Sequence, residues 1–108
     1  MTRTGLILKV IPDMRKNAFW MKQQDDRILE YLRSEGMSSP ELIEREASID
    51  ISAGHIEERL LMLWYAGFVA QLWSDTYEIT SEGRRYLRGE LDAEHQPTPT
   101  VDRVLRGY

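Results

Sequence analysis

Between residues 23 and 91 the apolar positions recur at helical spacing four times, and one stretch of clustered aromatic and β-branched residues interrupts them. Ile28, Tyr31 and Leu32 form a stripe at i, i+3, i+4, widened by Leu29. They predict a first helix from Gln23 to Gly36, with Asp25 and Asp26 at its positive end and Gly36 as the terminating residue. Its remaining charges, Arg27, Glu30, Arg33 and Glu35, read as a solvated face. Ser39-Pro40-Glu41 starts a second, short helix through Leu42 and Ile43 to about Ala47, because Ser caps free amides and Pro is tolerated at the first helical position. Ser52 opens a third helix carrying Ile56, Leu60 and Leu63, which ends at Gly67. Residues 68–73 and 76–80, separated by Ser74-Asp75, read as a hairpin. Thr80 or Ser81 then caps a last helix through Arg84, Tyr86, Leu87 and Leu91, in which Gly83 is a weak point. The expected fold class is mainly α with a small β-hairpin. Ile28, Leu32, Ile56, Leu60, Leu63 and Leu87 should share one core with Phe68 and Ile79.

The flanks are different in kind. Residues 1–22 form a basic extension in which 6–11 could add a strand, either as a functional arm or as a loosely held tail. The Pro-rich stretch 96–100 breaks any helix, so 94–108 reads as a linker with a tail or short docking segment. The domain proper is placed at 23–93.

With 108 residues, 42% hydrophobic and 30% charged, the chain suits one folded domain. No apolar run approaches the ~20 residues needed to span a bilayer, and no signal-peptide pattern is present, so a cytoplasmic protein is expected. Cysteine is absent, and His55 and His95 are the only imidazoles, which argues against disulfides and a structural zinc. Charge is unevenly spread. Residues 1–22 carry five cations against one acid, whereas 23–94 carry seven arginines against sixteen carboxylates, a net of −9. An acidic domain is a poor match for phosphates unless salt screens it, and three Lys against eleven Arg among many acids is the balance expected of a halophilic protein.

Enzymatic motifs are missing: no phosphate loop, no dinucleotide fingerprint, no zinc-protease helix and no nucleophile elbow. The adjacent acids Asp25-Asp26 and Glu57-Glu58 read as cap or surface groups. No catalytic residue is assigned and a non-enzyme is expected. The order of helix, Ser-Pro-capped helix, longer helix ending in Gly, hairpin and capped helix is the winged helix-turn-helix pattern. Residues 26–32 (DRILEYL), 51–60 (ISAGHIEERL), 66–69 (AGFV) and 77–87 (YEITSEGRRYL) resemble those of haloarchaeal winged-helix regulators, the phi-H repressor-like proteins, which are similar to the broader MarR and ArsR regulators. The resemblance covers about residues 23–93. It implies a transcriptional regulator that binds double-stranded DNA, commonly as a homodimer, and needs no cofactor.

In that arrangement the start of the third helix faces base edges while its apolar stripe faces the core. Ile56, Leu60 and Leu63 are thereby assigned to packing, and Ser52, Ala53, Gly54, His55, Glu57, Glu58 and Arg59 remain as candidate readers. Ser52 is a cap first and a phosphate contact second. Ala53 and Gly54 either allow close approach to the groove or are neutral first-turn residues, and His55 is either a contact or a plain surface histidine. Arg59 has no acid three or four residues away, so it is expected to be available to a phosphate or a guanine edge. Glu57 and Glu58 disfavour phosphates, and the tip Ser74-Asp75 lacks a cation, so few wing contacts are expected. Trp64, Tyr65, Trp73 and Tyr77 are read mostly as core, with a surplus that joins Leu91 and the tail in a dimer surface.

Overall fold

A computed structural model of the chain describes residues 14–107. In order, its elements are α1 (Gln23–Glu35), α2 (Pro40–Glu46), α3 (Ala53–Tyr65), β1 (Val69–Leu72), β2 (Thr76–Ile79), α4 (Ser81–Leu87), a 3-10 turn (Ala93–His95) and α5 (Val101–Gly107). The strand expected at 6–11 lies outside the described residues. Among the described residues, no helix is long and apolar enough to cross a membrane.

Helix starts fall where hydroxyl side chains can satisfy free amides. Ser39 accepts from the Leu42 N–H, Ser52 from His55 and Thr80 from Gly83. The Thr80 hydroxyl also donates to the Gly67 carbonyl at 2.6 Å, which ties the end of the hairpin to the loop after α3. Strands β1 and β2 pair antiparallel with Val69 opposite Ile79 and Leu72 opposite Thr76. The connection between them is three residues long rather than two, because Trp73 leaves the ladder with φ of +57°. A further rung was not legible in the sequence. Ser38, between α1 and α2, exchanges backbone hydrogen bonds with Tyr77, both at 2.9 Å, and so fastens the hairpin to the helices.

One core gathers the inward faces. Ile28, Leu32, Ile56, Leu60, Leu63, Phe68, Ile79 and Leu87 are all buried, as the periodicity predicts, together with Leu29, Ile43, Tyr77 and Tyr86. Phe68 and Tyr86 pack with ring centroids 5.3 Å apart.

Three expectations need correction. Residues 14–22 are part of the packed body, so the domain does not begin at 23. Ala18 and Trp20 are buried, the Ala93 N–H donates to the Lys16 carbonyl at 2.8 Å, and Arg15 donates to the Leu87 carbonyl at 2.9 Å. Arg15 also pairs with Asp26 at 3.3 Å and with Glu30 at 2.6 Å, so Asp26 and Glu30 are not simply solvated. Burial raises the Asp26 carboxyl above its ordinary range; burial first, and then the hydrogen bond that the Tyr86 hydroxyl donates to Asp26 at 2.7 Å, keep that phenol protonated well beyond its usual range. Second, α4 stops at Leu87, because Gly89 turns the chain at φ +76°, and Leu91 packs from the loop that follows. Third, Gly83 is a site of close approach.

The tail docks. Gln96 donates to the Ala66 carbonyl at 2.9 Å, Pro99 is buried, and Val104 of α5 is buried where α5 crosses α3.

A Cβ at Gly83 would lie 2.4 Å from the Phe68 carbonyl oxygen and 2.7 Å from Ile79 Cγ1. Helix propensity alone would make Gly83→Ala stabilising by about 1 kcal/mol. The backbone contact reverses that sign, and we expect a loss of about 1–3 kcal/mol, seen as a lower midpoint in denaturant unfolding.

Candidate nucleic-acid interface

The exposed start of α3 is held from behind by its own apolar stripe. With Ile56, Leu60 and Leu63 fully buried, the helix cannot rotate, and Ser52, Gly54, His55 and Glu58 face solvent while Ala53 and Glu57 are half-buried. The Ser52 hydroxyl accepts from the His55 N–H at 3.2 Å, so its capping role is realised and its oxygen stays at the surface. A Cβ on Gly54 would meet nothing nearer than the Ser52 hydroxyl at 4.0 Å. The first turn of α3 is therefore a low, open ledge onto which another molecule can come close.

Arg59 is not part of that ledge. The expectation that it is available fails because its acidic partner lies on another helix, out of reach of any argument from spacing along α3. Arg59 is 7% exposed, and its Nε and Nη2 donate to the two carboxylate oxygens of fully buried Asp25 at 2.8 and 2.7 Å. Nη2 also donates to the Trp20 carbonyl at 3.1 Å. Asp25 in turn accepts the Lys22 N–H at 2.9 Å, so one carboxylate caps α1 and clamps α3. Asp25 was expected at the helix start, but as a cap or surface group and not as a buried ion.

With Arg59 turned inward, the start of α3 offers Glu57 and Glu58 and no cation of its own. Two exposed cations, Lys22 at the cap of α1 and Arg27 within it, border grooves that reach the start of α3 or the turn before it. Lys22 is exposed and borders a groove shared with His55 and Glu58. Arg27 is exposed, and with Gln23 and Gln24 it lines a shallow groove of about 190 Å³ against Ser48, Ile49 and Asp50, the turn that leads into α3. Acids stand near Arg27 as well, since Glu30, Glu35 and Glu46 share the adjoining groove. Only proximity in space, supplied by the packing of α1 against α3, distinguishes these two cations from the others.

Trp73, counted with the core aromatics, is 79% exposed, whereas Tyr77 is fully buried and Trp64 and Tyr65 are half-buried. Among the described residues, no group of three His, Asp or Glu is placed to hold a metal ion.

Three helices, the last capped by Ser52 and packed across the others, followed by a hairpin fastened to the helical body, make a winged helix-turn-helix protein. Among solved structures, the PhiH1 repressor-like protein from Haloarcula marismortui is 38% identical, with a TM-score of 0.74 over 79% of this chain and 97% of that one. The chain belongs to the PhiH1 repressor-like family. No family model matches it, and no curated protein does.

Removing one partner of a buried ion pair strands the other charge. Arg59→Ala should therefore destabilise the fold by about 3–5 kcal/mol in chemical denaturation, whereas an exposed cation such as Arg27 should cost less than about 0.5 kcal/mol on the same change.

Proposed function

We propose that the chain is a sequence-specific, cytoplasmic DNA-binding transcriptional regulator that acts as a homodimer, without a cofactor and without catalytic chemistry. The observation that carries this reading is the open first turn of α3, from Ser52 to Glu58, presented by a core-locked helix in a protein of repressor-like family. Ser52, Ala53 and Gly54 let the helix approach the major groove closely. His55 can donate to a phosphate or a base edge, and Glu57 and Glu58 can accept from cytosine N4. Arg59 acts from inside, holding α3 on α1. Lys22 and Arg27 flank the ledge and supply the phosphate contacts that α3 lacks.

The acidity of the domain sets the conditions. Near 1 M salt the Debye length falls to about 3 Å, so repulsion between surface carboxylates and phosphates is largely screened while close contacts persist. One observation favours a second reading, a protein-interaction module: the exposed part of α3 carries two glutamates and no Lys or Arg. Such a module binds no DNA fragment at any salt concentration.

Binding to fragments of the native genome, followed across salt, separates the two. The regulator reading expects selective retention of some fragments at high salt. Lys22→Gln and Arg27→Gln should each weaken binding to all fragments alike and lower the slope of log K against log salt by about one unit. Glu57→Gln and Glu58→Gln should raise non-specific affinity at low salt and matter less at high salt. Absence of any retained fragment for the parent protein would favour the interaction module.

A further inference from the structure

At the hairpin tip, side-chain size, backbone and exposure are at odds in one residue. Trp73 takes a φ of +57°, in the left-handed region that favours Gly or Asn and that a bulky side chain rarely adopts. It is also 79% exposed, so its indole adds little to the core. Neither the turn nor the packing calls for tryptophan there. The tip is nonetheless held in one shape. Gln71 Nε2 donates to the Ser74 carbonyl at 2.9 Å, and the Thr76 hydroxyl donates to Asp75 at 3.2 Å. The root of the hairpin is fixed as well, with β1 packed on α3, β2 packed on α1 and Tyr77 bonded to Ser38. Trp73 is therefore presented to solvent by the same body that presents the first turn of α3.

We propose that Trp73 is a minor-groove wedge: with α3 in the major groove, its indole enters the flanking minor groove and lodges against a partly opened base step. The inference rests on the DNA-binding reading above and gives it a second contact, of apolar kind. Reach is sufficient. Four strand residues at ~3.3 Å each span ~13 Å, against a major groove ~12 Å wide, so the tip can cross one phosphate backbone. The chemistry of the tip also fits. It has no Lys or Arg to place in the groove, but an apolar side chain inserted at a base step needs no charge, because it gains from contact with the opened stack. Ser74, Asp75 and Thr76, which follow Trp73, are polar, so the indole stands as a single wedge and not as part of a broad apolar patch of the kind a protein partner covers. Near 1 M salt, where the Debye length is about 3 Å, repulsion between Asp75 and phosphates is largely screened while contact by the indole persists. A wedge selects sequence without a hydrogen bond to any base. Pyrimidine–purine steps, TA and CA/TG, open most readily and should be preferred where Trp73 enters.

Binding to the genomic fragments that the full chain retains at high salt tests the proposal, with Trp73→Gly and Trp73→Phe. Glycine suits a φ of +57°, so Trp73→Gly should keep or raise the midpoint of denaturant unfolding. It should weaken retention about tenfold or more, and the slope of log K against log salt should not change because no cation is removed. Trp73→Phe keeps a ring and should keep most of the affinity. Moving an A-tract through the flanks of a retained fragment should weaken the parent at one position and leave Trp73→Gly indifferent there. If Trp73→Gly binds as tightly as the parent, the wedge is overturned while DNA binding through α3 stands. If its unfolding midpoint falls below the parent's, Trp73 is a structural residue of the hairpin and the wedge is overturned as well. If the parent retains no fragment at any salt, the DNA-binding reading fails and this inference fails with it.

Discussion

The bidentate pair between Arg59 and Asp25 is the constraint on which the placement of α3 depends. Apolar packing by Ile56, Leu60 and Leu63 fixes which side of α3 faces inward, but apolar contacts are non-directional and tolerate sliding. Two charge-assisted hydrogen bonds of 2.7 and 2.8 Å do not tolerate it. Because the same carboxylate caps α1 through the Lys22 N–H, the register of α3 is fixed relative to the start of α1, with Lys22 just before it and Arg27 just beyond its first turn. Burying two charges costs solvation that their attraction only partly offsets, so the pair serves position more than stability.

A second charged network does the same for the chain before α1. Arg15 reaches Asp26, Glu30 and the Leu87 carbonyl, and Asp26 accepts the Tyr86 hydroxyl. Asp25 and Asp26, neighbours in sequence, thus hold opposite parts of the molecule, one toward α3 and one toward α4 and the preceding segment. An acidic helix start that could have been mere surface charge is the point where most of the fold is tied together.

This explains what was legible beforehand. Periodicity locates α1, α2, α3 and the hairpin, because the core reads side-chain spacing and Ser39, Ser52 and Thr80 announce helix starts. Caps depend on neighbours three residues away, which a sequence displays. The partner of Arg59 is 34 residues distant and that of Arg15 lies in two other helices, so their burial leaves no local trace. Gly83 carries a propensity penalty in any table, yet the reason it must be glycine is a carbonyl fifteen residues earlier. Of the candidate readers, Ser52, Gly54, His55 and Glu58 lie at the surface and Ala53 and Glu57 partly so. Arg59, the one Lys or Arg among them, lies inside. Lys22 and Arg27 are brought near the start of α3 only by the packing of α1 against it.

Under the proposed function, Arg59 works within the protein and not on DNA. Its most direct test removes both charges of the pair together, as Asp25→Asn with Arg59→Met, which leaves an acceptor for the Lys22 N–H and avoids stranding a buried ion. The affinity of this doubly substituted protein for genomic DNA fragments should fall as the placement of α3 loosens, while its salt slope should match that of the parent, because no phosphate contact has been removed. A folded double variant whose salt slope drops by about one unit would show that Arg59 neutralises a phosphate and would contradict the internal role.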